Sequence, residues 1–230
     1  MHPSIEQRRD SLQAREPLRW LSELTASVIV TTHCNRICPH CCVQDMTRCE
    51  QPEDIHAAAV ASDIHRLGAV QLVLLTGGEP TLHWDFVAVL RRAREARGPA
   101  PMMLFTNGAN LQVYAEAIKL YCDGVRLSLY DENSRAGTPT DPEVVVRVQE
   151  LFASSNCTVD IFKAIHQRVS GGRNPCSRLF NTISVQKGSV YPCCVAHGIA
   201  EAEYTELSGD WPRRLLDITA PCERCVFGVK

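Results

Sequence analysis

The sequence predicts an α/β fold, a parallel sheet of successive β/α units followed by a small C-terminal β-hairpin. Three observations carry this. Short apolar, β-branched runs alternate with longer segments of helical periodicity from residue 27 to residue 164. The run at 70–76 is almost continuously apolar, as in a strand covered on both faces. After residue 169 the alternation stops, and two short runs flank Lys187-Gly188, a tight-turn signal.

The elements follow in order. Residues 4–24 read as a helical or partly ordered lead-in. Residues 27–32 form the first strand, and a cysteine-rich loop follows it. Residues 52–67 read as a helix stopped by Gly68, and 70–76 as the second strand. A helix over 84–97 ends at Gly98. The third strand, 101–106, runs into the turn signal Asn107-Gly108. A helix over 111–121 leads to the fourth strand, 125–129. Asp141 and Pro142 are the N-cap and first-turn signals of a helix running to about Ala153. Residues 157–164 are the fifth strand, and 182–186 with 189–191 form the hairpin. The expected divisions are a lead-in (1–25), a β/α unit (26–169) and a C-terminal unit (170–230).

Composition narrows the function. A chain of 230 residues can bury one substantial core, with or without a small appendage. A formal net charge of −2 leaves no broad basic surface, which argues against duplex nucleic acid as a partner. The aromatics are few and scattered, so there is no stacking platform for single strands. No apolar run is long enough to span a membrane, and residues 1–20 have no apolar signal core, so no membrane partner and a cytoplasmic location are expected. Twelve cysteines in a reduced compartment then point to metal or cluster ligation rather than a disulfide framework.

Cys34, Cys38 and Cys41 form a C-x₃-C-x₂-C run directly after the first strand. A cubane iron–sulfur cluster takes four protein thiolates, so three closely spaced ones leave one iron open to another ligand. Gly77-Gly78-Glu79-Pro80 closes the second strand. Two glycines allow close backbone approach, and a carboxylate can pair with an ammonium group. Cys176, the Cys193-Cys194 pair, Cys222 and Cys225 form a second constellation. Four thiolates from it can complete a second iron–sulfur cluster or bind a structural zinc ion.

The first two motifs, in this order and about one β/α unit apart, resemble the radical S-adenosylmethionine (SAM) superfamily. The resemblance implies an open, partial (β/α)₆ barrel with its ligand-binding loops at the carboxyl ends of the strands. It implies that Cys34, Cys38 and Cys41 hold a 4Fe-4S cluster whose open iron chelates SAM. The reduced cluster would cleave SAM to a 5′-deoxyadenosyl radical that abstracts a substrate hydrogen. Gly77, Gly78 and Glu79 would hold the SAM amino group. His40 stands where relatives often carry an aromatic residue near the adenine. Ser128 is the implied ribose contact, with Tyr130 in place of the aspartate common in relatives.

The segment from Cys176 to Cys225 resembles the twitch domain, a shortened SPASM domain. This implies a β-hairpin/helix cluster-binding unit in which Cys176, Cys193, Cys222 and Cys225 hold a second, auxiliary 4Fe-4S cluster, Cys194 competing with Cys193. Lys163, His166 and Arg168 lie at and beyond the end of the fifth strand, where a cationic group can hold the SAM carboxylate or a substrate anion, or one of them can take a proton. Relatives with one twitch cluster, an aminocyclitol dehydrogenase of the butirosin pathway among them, oxidise a secondary alcohol to a ketone. The expectation is therefore a radical SAM oxidoreductase acting on a small polar substrate, with a flavodoxin or ferredoxin as electron donor. The alternatives are an epimerase with a cysteine hydrogen donor, a peptide- or protein-modifying enzyme, and a non-catalytic metal-binding or electron-transfer module. Of the remaining cysteines, Cys122 and Cys157 read as small buried apolar residues, whereas Cys42 and Cys49 lie in or beside the first loop.

Overall fold

The computed structural model describes residues 7, 10, 20–38, 41, 51–130, 140–163, 181–193 and 202–218. Its elements run β1 (Thr25–Thr31), α1 (Ala57–Leu67), β2 (Leu72–Gly77), α2 (Phe86–Arg97), β3 (Met102–Thr106), α3 (Leu111–Tyr121), β4 (Gly124–Leu129), α4 (Pro142–Phe152), β5 (Thr158–Lys163), β6 (Thr182–Gln186), β7 (Ser189–Tyr191), β8 (Thr205–Glu206) and α5 (Trp211–Asp217). No helix among the described residues is long and apolar enough to cross a membrane.

The strands form one eight-stranded sheet in the order β5-β4-β3-β2-β1-β6-β7-β8. Strands β1 to β5 are parallel neighbours in chain order, the arrangement that right-handed β/α crossovers produce. The sixth strand adds beside β1, also parallel, and not beside β5. The hairpin β6–β7 and the short β8 therefore continue the barrel sheet instead of standing apart from it.

The sheet has two unlike faces. Ala26, Val28, Val30, Val73, Leu75, Met102, Leu104, Val125, Leu127, Ile183 and Val185 join helix residues in the main core. Their odd-numbered or even-numbered neighbours, with side chains on the other face, stay outside it, although Ile29 and Leu74 are also buried. In β4 and β5 that second face carries Arg126, Ser128, Asp160 and Phe162. It is the concave side of an open barrel, and it mixes these polar groups with apolar ones such as Ile29, Leu74 and Phe105.

Three elements depart from the sequence reading. Helix α1 begins at Ala57, five residues later than the periodicity suggests. Residues 53–55 are instead drawn along the end of β1: Thr32 N–H donates to Glu53 O and Ile55 N–H to Val30 O, each at 2.8 Å. Helix α2 begins at Phe86, because Pro80–Leu82 closes a separate 3₁₀ turn first. The end of the lead-in belongs to the core. Trp20, Leu21 and Leu24 are buried, and the ring of Trp20 meets Trp211 of α5 at 6.4 Å. Helix α5 has only seven residues, too few for periodicity to reveal.

Asp63 of α1 ties the hairpin to the barrel. It is buried and accepts the Gly188 N–H at 3.0 Å, where Lys187 and Gly188 both have positive φ. Burial pushes its carboxyl above the usual range, opposed by the Gly188 amide, the charge of Arg66 and the Lys187 amide. The folded pKa thus lies above the unfolded one, so the native state keeps a proton that the unfolded chain has lost between the two. Stability falls as pH rises through that window. Asp63→Asn removes this dependence. In urea titrations its midpoint should gain on that of the parent as pH rises from about 4. A variant tracking the parent at every pH would mean that Asp63 carries no folding-linked proton.

Candidate functional site

The loop after β1 is fixed to the carboxyl ends of three successive strands. The carbonyl of His33 accepts the Glu79 N–H at 2.7 Å, just beyond β2. Asn35 Oδ1 accepts from Asn107 Nδ2 at 2.8 Å, just beyond β3. The guanidinium of Arg36 lies 4.5 Å from the ring centre of Tyr130, just beyond β4. The three cysteines are carried on this anchored loop. Arg36 N–H donates to Cys34 Sγ at 3.4 Å, and Cys41 N–H to Cys38 O at 3.2 Å. Ile37, between the two, is 77% exposed.

The glycines of the Gly-Gly-Glu segment answer to the protein's own backbone. A Cβ on Gly77 would run into the carbonyl of Thr31, and one on Gly78 into the carbonyl of His33. The close approach lets Gly78 N–H donate to Thr31 O at 2.9 Å beside the Glu79–His33 bond. Glu79 itself has no exposed surface. Its Oε1 accepts from Thr81 N at 3.1 Å, Thr81 Oγ1 at 2.6 Å and Thr106 Oγ1 at 2.6 Å, and its Oε2 from Asn107 N at 2.7 Å. Burial pushes its pKa up, and these donors oppose the rise. The carboxylate therefore clasps β2 to β3.

Cys34, Cys38 and Cys41 are in no disulfide, Cys38 buried and the other two half-buried. Burial raises the pKa of Cys34, the Arg36 amide opposes this, and the charges of Cys41 and Glu79 add to the rise. Among the described residues no group of three or more His, Cys, Asp or Glu side chains is placed to hold a single metal ion. A cubane cluster makes a different demand, because each thiolate takes its own iron and the sulfurs stand apart. An all-sulfur set of three thiols outside any disulfide, on one anchored loop at the ligand-binding end of a parallel sheet, fits such a cluster.

Below the loop, the concave face holds a pair that sequence reading missed. Arg126 Nε meets Asp160 Oδ2 at 2.7 Å, with side chains 32% and 48% exposed. Phe105 and Phe162 stand edge to face at 5.7 Å beside them. Charged residues in the middle of strands of a parallel sheet were the available signal, since such strands are otherwise apolar. Ser128, one step nearer the loop, is buried, and its side chain is hydrogen-bonded to that of Tyr130. Lys163 ends β5, opposite Leu129 of β4.

Cys193 directly follows β7 and Pro192, half-buried and packed against the core. Cys122 and Cys157 are buried, and burial is the main reason their thiols are pushed up to about 12 and about 11. They are inert core residues. His40, His166, Arg168, Cys176, Cys194, Cys222 and Cys225 lie outside the described residues.

A family model described as the Radical SAM superfamily matches residues 28–168. A probable GTP 3′,8-cyclase of Pyrococcus abyssi is 37% identical over 107 residues, 44% of this chain and 33% of that protein. A GTP 3′,8-cyclase of Chlorobaculum tepidum is 31% identical over 104 residues, 44% of this chain and 31% of that protein. The chain thus spans about a third of the length of these relatives. Among solved structures, BtrN in complex with AdoMet and 2-DOIA superposes with a TM-score of 0.59 at 15% identity, covering 84% of this chain and 81% of that one. Native anSMEcpe with bound AdoMet gives 0.57 at 13% identity, with 87% and 86% covered. These two likenesses are likenesses of fold.

Proposed function

The chain belongs to the Radical SAM superfamily, and from that premise we propose that it is an oxidoreductase converting a secondary alcohol of a small polar substrate to a ketone. Enzymes of this superfamily use a 4Fe-4S cluster and SAM. The observation that carries the reading is the triple anchoring of the cysteine loop over the ends of β2, β3 and β4, above a concave face that holds the Arg126–Asp160 pair.

In this reading Cys34, Cys38 and Cys41 hold the SAM-side cluster. Gly77, Gly78 and Glu79 shape the rim that orients the amino end of SAM, His40 lies beside its adenine and Ser128 faces its ribose. Cys176, Cys193, Cys222 and Cys225 form a twitch unit for the auxiliary cluster, and the hairpin ending at Pro192-Cys193 supports that assignment. When bound, these groups supply a hydrogen-abstracting radical from SAM and an acceptor for the second substrate electron. The protein's own task is to place one carbon–hydrogen bond and one hydroxyl. Arg126 and Asp160 offer a donor and an acceptor for substrate hydroxyl, amino or carboxylate groups, while Phe105 and Phe162 wall the space. Lys163, His166 and Arg168, at and beyond the end of β5, hold an anionic group or take the departing proton. A flavodoxin or ferredoxin supplies the reducing electron.

The similarity to proteins named GTP 3′,8-cyclase favours one second reading, a redox-neutral radical rearrangement. Iron and sulfide counts with Mössbauer spectra, in anaerobically reconstituted parent and in the Cys34/Cys38/Cys41→Ala triple variant, separate the two. The parent should hold about eight irons and the variant about four, with 5′-deoxyadenosine formed from SAM by the parent alone. About four irons in the parent and none in the variant would remove the auxiliary acceptor and leave the redox-neutral reading. No 5′-deoxyadenosine from the reduced parent would overturn both and favour a metal-binding or electron-transfer module.

A further inference from the structure

Arg36 sits in the chain between two proposed cluster ligands, Cys34 and Cys38, and is tied to the fold through both its backbone and its side chain. Its guanidinium lies against the face of Tyr130, 4.5 Å from the ring centre, and the residue is half-buried. Tyr130 is held in turn from two sides. Its backbone N–H donates to Thr140 Oγ1 at 3.0 Å and its carbonyl accepts the Thr140 N–H at 2.7 Å. Its side chain is hydrogen-bonded to that of Ser128. A planar, weakly hydrated guanidinium stacks on an aromatic face without giving up its charge.

The stack is part of the cysteine loop. Arg36 lies two residues from both Cys34 and Cys38, its N–H donates to Cys34 Sγ at 3.4 Å, and its guanidinium is held against Tyr130 at the end of β4. Charges in a half-buried place are screened less than in open water, so their effect on a neighbouring redox group is correspondingly larger.

We propose that Arg36, stacked on Tyr130, is a positioning residue whose charge raises the reduction potential of the cluster ligated by Cys34, Cys38 and Cys41. Reduction adds one negative charge to a cluster that three thiolates already make electron-rich, and a fixed cation beside the ligands favours that form. Potentials of such clusters depend on local charge, hydrogen bonds to sulfur and exposure. Arg36 contributes the first through its guanidinium and the second through its amide on Cys34 Sγ. Only the first is lost on substitution. The inference rests on the ligand assignment made above.

The test is an EPR-monitored redox titration of the anaerobically reconstituted full chain. The SAM-side signal is identified as the one that disappears in the Cys34/Cys38/Cys41→Ala variant. Arg36→Gln should move its midpoint to a more negative potential. Arg36→Lys, which keeps the charge, should recover most of the shift. Tyr130→Leu, which keeps the charge but removes the surface that holds it, should give a smaller negative shift, and it carries the measurement if Arg36→Gln loads no iron. A parental midpoint in Arg36→Gln, even with reduced iron content, would mean that Arg36 only helps the loop fold, and the proposal fails. If the parent shows no signal that depends on Cys34, Cys38 and Cys41, the ligand assignment fails and takes this inference with it.

Discussion

Glu79→Ala is expected to cost about 3–5 kcal/mol of folding stability, and Glu79→Gln about 1–3 kcal/mol. The difference follows from the donors. Alanine leaves two backbone amides and two hydroxyls, from Thr81, Thr106 and Asn107, facing an empty space in a site with no solvent. Glutamine can turn its oxygen toward the three donors at the Oε1 position. Its amide nitrogen must then face the Asn107 N–H, one donor against another. Denaturant titration of both variants measures the two losses. Because Asn107 also holds Asn35 of the cysteine loop, the alanine variant should in addition load less iron than the glutamine variant. Losses below about 0.5 kcal/mol in both, a value typical of surface changes, would show that the clasp does not hold the strand ends together.

This clasp also marks where sequence reading reaches its limit. The Gly-Gly-Glu segment was legible as a site because glycines and a carboxylate at a strand end are rarely neutral choices. That the carboxylate spends most of its acceptor capacity inside the protein was not legible, since Thr81, Thr106 and Asn107 come from two different strand ends. Arg36 and Tyr130 meet for the same reason: the loop after β1 reaches the end of β4 only once β2 and β3, lying between them, set all four strand ends along one edge of the sheet. Local signals fared better. The hairpin bounds follow from Lys187-Gly188, where both residues take the positive φ that such turns require. Helix α4 begins at Pro142 because Asp141 caps it through the Glu143 N–H at 2.9 Å. Arg126 and Asp160 were visible as residues but not as a pair. Only the register that sets them opposite each other shows that they form an ion pair on the concave face.

Gly78→Ala should be among the most damaging single-methyl changes at the described glycines. The added carbon would fall on the carbonyl oxygen of His33, 2.6 Å from its carbon and 3.0 Å from Cys34 Cβ. The first two are backbone atoms, so no side-chain rotation relieves the clash. The loop must move away from β2, and the Glu79 N–H to His33 O bond breaks as it does. Forcing a methyl into a packed site costs about 1–3 kcal/mol, and a displacement of about 1 Å at a reacting centre costs about a hundredfold in rate. The expected result is a loss of iron loading together with a fall of about a hundredfold in 5′-deoxyadenosine formation by whatever cluster remains. Gly68→Ala is the matching control. Gly68 has φ +71 at the end of α1, and a Cβ there meets nothing within 4 Å. Its penalty is the backbone alone, φ +71 with ψ −138 being a region that side-chain-bearing residues rarely enter, about 1–3 kcal/mol, with iron loading and SAM cleavage kept at the parental level. If Gly78→Ala behaves like Gly68→Ala, the glycine serves only its own backbone and the loop is not held by close contact with β2. A variant that loses iron but not stability would place the effect where the geometry puts it, at the seat of Cys34.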